Sequence, residues 1–458
     1  MRFKLGLGVV AAAASLAVAA VAIAAAFTPG SPGLGDPFFP LGGNGGYDVQ
    51  HYGLTLDYRP AANTLTGTAV ITAKATQALS RFDLDLRGFD VAVRVNGVPA
   101  ATARDGQELV ITPASGIPLG KTFTVTVDYS GTPSVVTDPD GSIEGWVPTD
   151  DGAVSVGEPQ GSPGWYPCND NPQDKATYDF AVTVPQGLTA MANGVLRSQT
   201  TANGATTWTW READPMATYL ATVDIGRFDL TVSSVDGVPT YVAVDPQLAK
   251  GQVLAKLPDI LRFYSSIYGP YPFTAAGAIV DSAKNLGYSL ETQTKPLFPY
   301  VPNEATLAHE QSHMWFGDSA TLGRWPDIWL HEGFATWSEW IWSEHSGNKS
   351  AAQWFKELYS TPAKDAAFWN PPPGDPGDPS LLFNGTIYYR GGMTLEALRE
   401  KIGNDPVFFE IMRRQAQANR FGTVSTPEFV TLAEQVSGLD LDKFFQAWLF
   451  APGKPTDW

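Results

Sequence analysis

The chain changes its hydrophobic periodicity once, near residue 230, and this change constrains its fold more than any other feature. From Tyr47 to Phe228, apolar and polar residues alternate in short runs that are rich in Val, Thr, Phe and Tyr, with turn residues between them. A period of two is typical of half-buried β-strands. The clearest runs are HYGLTLDY, TLTGTAVITAKA, TFTVTVDYSG and ATYDFAVTVP.

Beyond Asp236 the apolar residues recur at helical spacing, as in EATLAHEQSHMWFG and GGMTLEALREKIG. Pro326 lies early in one predicted helix and Gly347 follows its end, as helix start and stop signals require. The sequence therefore predicts an antiparallel β domain over 47–230, followed by a mostly helical domain over 231–455.

The first 46 residues are predicted to lie outside both domains. Two positive charges in MRFK precede an alanine-rich apolar run that ends in small side chains suited to cleavage. We interpret 1–26 as a signal peptide, with an uncleaved membrane anchor as the alternative. The Gly- and Pro-rich segment 27–46 is interpreted as a linker. The expected location is secreted or extracellular, with membrane contact only if the apolar run is retained.

Composition argues against a nucleic-acid-binding protein and indicates a globular fold without an intramolecular disulfide. The formal net charge of -17 argues against a nucleic-acid partner, because phosphate binding needs basic patches. A hydrophobic content of 43% indicates a globular chain with a sizeable core. The single cysteine, Cys168, cannot form an intramolecular disulfide and is interpreted as a small buried side chain.

The predicted helix at 304–317 carries two histidines, His309 and His313, four residues apart. Residues at this spacing share a helix face, so two imidazoles can bind one metal ion. Glu310 lies about 100° around the helix from His309, where a base acting on metal-bound water belongs. The alternative is a chance pair of core histidines beside a solvated glutamate.

A catalytic zinc site takes three protein ligands and keeps one position for water. Glu332, on the next predicted helix, is one candidate for the third ligand. Asp318 and Asp327 lie closer in sequence, although both fit better as groups that orient a ligand or cap a helix. Spacing alone leaves the three candidates open.

HEQSHMWFGD followed by WLHEGFATW resembles the zinc motifs of the gluzincin aminopeptidases, the family of aminopeptidase N and leukotriene epoxide hydrolase. GWYPCNDNPQDKATYDFAVTVP, IYGPYPF, YYRGGMTLEALR and FFQAWLFAPGKP also resemble segments of that family, so the resemblance covers about Tyr47 to Pro455. It implies a saddle-like β domain packed on a thermolysin-like catalytic domain. It also implies one Zn²⁺ per chain and peptide substrates with a free N-terminus.

The resemblance also implies roles for individual residues. It makes Glu310 the general base and gives the hydroxyl that stabilises the oxyanion to Tyr388, with Tyr389 as the alternative if the register slips by one. The stretch LGYSLETQT stands where the family has Gly-Ala-Met-Glu-Asn, so Glu291 falls on the glutamate that holds the substrate amine. Glu158, ten residues before the cysteine, falls on a second amine-binding position. The implied zinc ligands are His309, His313 and Glu332.

The chain departs from the family pattern at several positions around the motifs, namely Gln311, Ser312, Met314 and His331. The C-terminal β-sandwich and helical domain of longer members have no counterpart, so we expect a short form with a more open site. The predicted function is zinc-dependent removal of N-terminal amino acids from peptides. The alternatives are an endopeptidase or epoxide hydrolase on the same site, or a secreted binding protein with a vestigial zinc site.

Overall fold

The structure is a computed structural model that describes residues 26–248 and 252–458. Apart from its last residue, the predicted signal peptide lies outside the described residues. Across the two described ranges, we find no helix that is both long and apolar enough to cross a membrane.

The first half of the described chain consists of β-strands, as its alternating pattern predicts. Buried and partly exposed residues alternate along the long strands, most regularly between Ala176 and Pro185. The strands are β1 (Thr28–Pro29), β2 (Tyr47–Arg59), β3 (Thr64–Ala75), β4 (Leu79–Asp85), β5 (Asp90–Val95), β6 (Val98–Pro99), β7 (Ala101–Asp105), β8 (Glu108–Thr112), β9 (Thr122–Gly131), β10 (Val135–Thr137), β11 (Ile143–Pro148), β12 (Ala153–Val156), β13 (Ala176–Pro185), β14 (Thr189–Ala192), β15 (Val195–Ala202), β16 (Ala205–Met216) and β17 (Val223–Gly226).

These strands form three sheets, with strand orders β15-β16-β13-β2-β3-β9-β5-β6, β1-β4-β8-β7 and β10-β11-β12-β17-β14. Most neighbours are antiparallel, as predicted, but the short β1 runs parallel to β4. Strand β13 also runs parallel to β2, with Thr177–Thr183 beside His51–Asp57. The long connection between these two strands explains the difference, because only a short hairpin forces antiparallel pairing.

The second half of the described chain is mostly helical and carries a small sheet of order β18-β19-β20-β21. Its strands are β18 (Asp229–Val235), β19 (Val238–Val244), β20 (Ala276–Val280), β21 (Leu297–Phe298), β22 (Thr321–Leu322) and β23 (Thr423–Val424). Its helices are α1 (Leu257–Tyr268), α2 (Glu304–Ser312), α3 (Trp329–His345), α4 (Ala351–Tyr359), α5 (Ala366–Trp369), α6 (Gly385–Ile402), α7 (Asp405–Ala418), α8 (Thr426–Ser437) and α9 (Asp442–Phe445), which continues as a π-helical turn over Gln446–Phe450.

Helices α3 and α6 cross in unusually close contact at two glycines. A Cβ atom added to Gly333 would lie 2.9 Å from the Cα of Gly391, and one added to Gly391 would lie 2.8 Å from the Cα of Gly333. Side chains at this crossing would force the helices apart. The glycines therefore bring the start of α3 against the first turns of α6, where Tyr388 lies.

The segment 27–46, interpreted from its composition as a linker, packs against both halves of the protein. On the β half, the Asn44 side chain donates a hydrogen bond of 3.1 Å to the Asp85 carboxylate. The Asp36 carboxylate accepts a hydrogen bond of 2.9 Å from the backbone N–H of Trp325, and the ring of Phe39 contacts that of Trp325 edge-on at 6.0 Å. A spacer between an export signal and the fold is thus the wrong description of this segment. Glycine and proline indicate irregular backbone, which can be packed as firmly as a strand.

Candidate metal centre and active site

Three predicted ligands converge on one point between α2 and α3. One ligand atom from each of His309, His313 and Glu332 lies within 4.8 Å of the others, and all three residues are buried. The Oε2 atom of Glu332 is 3.1 Å from Nε2 of His309 and 3.7 Å from Nε2 of His313. Ligands of one tetrahedral zinc ion, each bound at 2.0–2.2 Å, are separated by about 3.4 Å. The donor set and its spacing therefore fit such an ion.

The outer nitrogens of both histidines are held by oxygen atoms. The Nδ1 atom of His309 lies 2.6 Å from Oε1 of Glu339, and Nδ1 of His313 lies 3.0 Å from the carbonyl oxygen of Phe316. An oxygen acceptor places the proton on Nδ1 and leaves the Nε2 lone pair free for a metal. Sequence reasoning missed Glu339, although it lies seven residues after Glu332, on the same face of α3.

The two histidines differ in their electrostatic surroundings. Burial and the neighbouring His309 hold the pKa of His313 well below its usual value, which keeps that ring neutral, as a metal ligand must be. Burial acts to lower the pKa of His309 as well, but hydrogen bonds to Glu332 and Glu339 raise it well above its usual value. A dication at this centre would compete with that proton for the Nε2 atom.

Helix α2 ends earlier than the sequence predicts. The sequence places its end at Gly317, but the last helical residue is Ser312 and His313 is the C-cap. The chain then turns, with the N–H of Asp318 bonded to the carbonyl oxygen of His313 at 3.0 Å. This turn brings the Phe316 carbonyl to the His313 ring, so ending the helix early helps to orient a ligand.

Glu310 faces the same centre without being part of the ligand cluster. A carboxylate oxygen of Glu310 lies within 4.8 Å of ligand atoms of His313 and Glu291. Burial raises the pKa of Glu310 to about 8, although the nearby His309 opposes the rise. A bound dication would lower that pKa, because it favours the ionised form. The Glu310 carboxylate thus lies between the candidate metal ligands and Glu291.

The two tyrosines at the start of α6 have different surroundings. The Tyr388 ring lies nearly parallel to that of His309, with centroids 6.0 Å apart. Burial and then Glu332 raise the pKa of the Tyr388 phenol well above its usual value, so its hydroxyl keeps its proton and can donate a hydrogen bond. Tyr389 is 48% exposed and lies at the mouth of the cavity. The geometry therefore favours Tyr388 over Tyr389 as the oxyanion donor.

Glu158 and Glu291 lie beside the candidate metal centre and are buried, 6% and 2% exposed. Each has an Oε1 atom without a hydrogen-bond partner. Burial raises the pKa of both carboxyls well above the usual value, and Glu291 adds to the rise at Glu158. Two such groups side by side form a strong site for a cation.

The loop that follows Glu291 is held against the β half of the protein. The Asn193 side chain donates to the carbonyl oxygen of Gln293 at 2.8 Å, and the N–H of Gly194 donates to Oγ1 of Thr294 at 2.9 Å. Next in the loop, the buried Lys295 donates to the carbonyl oxygen of Ala192 at 2.9 Å. These bonds explain why Glu291, although it belongs to the second half, lies next to Glu158 of the first.

His331 lies near the same two carboxylates, since one atom of its ring is within 4.8 Å of oxygens of Glu158 and Glu291. Its Nε2 atom accepts a hydrogen bond of 2.9 Å from the N–H of Leu322. The proton of the neutral ring is therefore on Nδ1, which makes that nitrogen a donor and not a metal ligand.

The other two candidates for the third metal ligand, Asp318 and Asp327, lie outside the ligand cluster. Asp327 accepts a hydrogen bond from Thr426 at 2.6 Å, and Asp318 is fully buried.

One cavity of about 650 Å³ lies between the β half and the helical half, and its lining includes Glu158, Glu291, His309, Glu310, His313, Glu332, Glu339, Tyr388 and Tyr389. Its remaining lining comes from segments far apart in sequence: Asp140, Gly141, Ser142, Ile143, Asn285, Gly287, Tyr288, Ser289, Thr336, Phe383 and Gly385.

Residues 48–220 match the peptidase M1 N-terminal domain, and residues 292–448 match the peptidase family M1 domain. The chain also superposes on the crystal structure of an M1 zinc metallopeptidase mutant from Deinococcus radiodurans bound to a Tyr-Ser-Ala substrate. The TM-score is 0.84 at 31% identity, covering 93% of this chain and 99% of that one. This chain belongs to peptidase family M1.

Among curated family M1 relatives, aminopeptidase M1 of Arabidopsis thaliana is 25% identical over 335 residues, which is 66% of this chain and 37% of that protein. Aminopeptidase N of Oryctolagus cuniculus is 29% identical over 273 residues, which is 52% of this chain and 28% of that protein. The chain thus spans about a third of the length of these relatives. Family membership confirms the predicted resemblance and implies zinc as the metal of the three-ligand cluster.

Proposed function

We propose that the chain is a zinc aminopeptidase that removes single amino acids from the free N-terminus of peptides. The observation that carries this proposal is the pair Glu158 and Glu291, buried beside the metal ligands with an unpartnered oxygen each. Burying a carboxylate without a partner costs several kcal/mol. The ammonium group of a peptide N-terminus would offset that cost and would hold the first peptide bond at the metal.

The surrounding residues suit hydrolysis of that bond. A zinc ion held by His309, His313 and Glu332 would polarise the scissile carbonyl and lower the pKa of a bound water. Glu310 takes a proton from the attacking water and returns it to the leaving amine, a role typically worth ~10²–10⁴-fold in rate. The Tyr388 hydroxyl donates a hydrogen bond to the oxyanion that forms on the carbonyl.

The same two carboxylates argue against an endopeptidase. A substrate chain that ran past Glu158 and Glu291 would desolvate both without supplying a cation, so an internal or blocked segment should bind poorly. Two other residues also argue against a binding protein, because holding zinc requires neither a carboxylate at Glu310 nor a hydroxyl at Tyr388.

The test compares unblocked with N-acetylated aminoacyl-coumarins, using purified protein whose zinc content is measured in parallel. We expect cleavage of the unblocked set alone, lost on chelation and in Glu310→Gln. Glu291→Gln should lower kcat/KM for unblocked substrates by at least ~100-fold. Glu410→Gln, which replaces a partly exposed carboxylate on α7 that does not line the cavity, should have no effect. Internal cleavage of blocked peptides by zinc-loaded protein would instead identify an endopeptidase, and a protein without zinc or activity would indicate a binding function.

We further propose that the chain is exported and acts outside the cytoplasm. The support is the N-terminal sequence, where two positive charges precede a long alanine-rich apolar run and a small-residue cleavage site. Intact-mass measurement of the protein from culture supernatant and from membranes tests this proposal. Export predicts a soluble species that begins near residue 27, whereas a full-length species confined to membranes would indicate the retained anchor.

A further inference from the structure

The cavity is strongly unbalanced in charge. Among its lining residues in the described chain there is no lysine or arginine, whereas six carboxylates contribute to it: Asp140, Glu158, Glu291, Glu310, Glu332 and Glu339. A bound dication and one substrate ammonium would offset part of this acidic lining, which holds no lysine or arginine side chain among its described residues that could attract an acidic substrate. The space left for the first side chain of a substrate is therefore at negative potential.

Five of these carboxylates have a proposed role as metal ligand, base, orienting group or amine-binding group. Asp140 is the sixth, and it has no such role. It lies in the tight turn between β10 and β11, which is closed by hydrogen bonds of 2.9 Å from Asp138 N–H to Ser142 C=O and from Gly141 N–H to Asp138 C=O. The Oδ1 atom of Asp140 accepts hydrogen bonds from the N–H and hydroxyl of Ser142 at 2.8 and 2.6 Å. The side chain is thus held in place while the residue remains exposed at the cavity.

The turn is fixed relative to the proposed amine anchor. The hydroxyl of Tyr288, three residues before Glu291, donates to the carbonyl oxygen of Ile143 at 2.9 Å. The next residue, Glu144, is fully buried and accepts hydrogen bonds from the N–H of Gln160, two residues after Glu158, at 3.0 and 3.2 Å. The segments that carry Glu291 and Glu158 are therefore both hydrogen-bonded to β11. The position of Asp140 relative to a bound substrate is thus set by the fold.

We propose that this cavity selects substrates by charge, favouring cationic and rejecting acidic first residues, and that Asp140 is the specificity-determining residue. The inference rests on the proposed aminopeptidase function and names the substrate class of that site. Tyr288 and Ile143 supply apolar surface beside the turn for the stem of a lysine or arginine side chain. The Asp140 carboxylate then meets the charged end near solvent.

The experiment measures kcat/KM for two pairs of aminoacyl-coumarins that are matched in shape, lysine against norleucine and glutamate against glutamine. At low ionic strength we expect lysine to exceed glutamate on the order of 100-fold, with the ratio falling as salt is added. Asp140→Asn should reduce the ratio about tenfold and weaken its salt dependence. It keeps the acceptor oxygen for Ser142, so the turn should be preserved.

Asp378→Asn is the matched control. Asp378 is also exposed, and its Oδ1 atom accepts from the N–H and hydroxyl of Ser380 at 2.9 and 2.6 Å, but it does not line the cavity. Its lysine-to-glutamate ratio should equal that of the parent protein. Active protein with a ratio near one, or an Asp140→Asn ratio equal to that of the parent, would overturn the inference alone. Failure of the zinc-loaded parent to cleave any unblocked substrate would overturn the proposed function, and the inference with it.

Discussion

Replacing Glu339 by glutamine should weaken zinc binding about tenfold without removing a metal ligand. The Glu339 carboxylate lies 2.6 Å from Nδ1 of His309, and its side chain is only 26% exposed. A hydrogen bond to a charged group is worth about 1.5–3 kcal/mol and a neutral one about 0.5–1.5 kcal/mol. Glutamine keeps the acceptor oxygen, so Glu339→Gln loses only the difference, about 1.4 kcal/mol. Alanine loses the whole bond, which corresponds to ~100-fold at most.

The assay is competition for zinc between the protein and a chromogenic chelator at fixed pH. Glu344→Gln is the control, because Glu344 lies further along α3 and also accepts one hydrogen bond, from the N–H of Ala351 at 3.0 Å. Its zinc affinity should match that of the parent. The reasoning is refuted if Glu339→Gln and Glu339→Ala both bind zinc within twofold of the parent, because the contact would then contribute nothing to the ligand.

Three further predictions concern catalysis and stability. Tyr388→Phe should lower kcat ~10²–10³-fold with little change in KM, whereas Tyr389→Phe should change either constant less than twofold; steady-state kinetics on one unblocked substrate decides. Gly333→Ala should lower the free energy of unfolding in urea by about 1–3 kcal/mol because its Cβ would meet α6, whereas Gly323→Ala has room and should cost little. Burial raises the pKa of Asp170 to about 7, above its unfolded value, so its contribution to stability is present below about pH 4 and is lost as the pH rises through 7. Asp170→Asn should flatten the unfolding free energy against pH in that window by up to about 1.4 kcal/mol per pH unit; an unchanged slope would contradict the assignment.

Two of the three candidate metal ligands could be predicted from helix geometry, and the third only from the family resemblance. His309 and His313 share a face of α2 wherever that helix lies, and the family motif supplied Glu332. The orienting groups could not be predicted in the same way. Glu339 resembles any charge on a long helix until α2 is known to pack against α3, and the Phe316 carbonyl has no signature in sequence because it depends on where α2 stops.

The turn that carries Asp140 and the pair Glu158 and Glu291 show a second limit of sequence reasoning, which is that contacts between distant segments leave no local pattern. Glu158 and Glu291 could be assigned only by resemblance, since they come from loops in different halves and meet through bonds such as that from Asn193 to Gln293. The turn that carries Asp140 reads as an ordinary hairpin loop, and nothing local places it over the cavity. The segment 27–46 was misinterpreted for a related reason, because composition reports backbone irregularity and not the surface on which the backbone packs.

The close crossing at Gly333 and Gly391 has a consequence for where a peptide would be cut. It makes the start of α3 and the first turns of α6 one rigid block, which carries Glu332 together with Tyr388. The carboxylates that would hold the N-terminus are tied instead to the β half. The number of residues released per cut is then set by the separation between the amine-binding carboxylates and the metal ligands, in units of one residue length, about 3.3–3.6 Å. Removal of one amino acid at a time would thus depend on how the two halves pack. If the β half lay one residue length further from the metal ligands, the enzyme would release dipeptides.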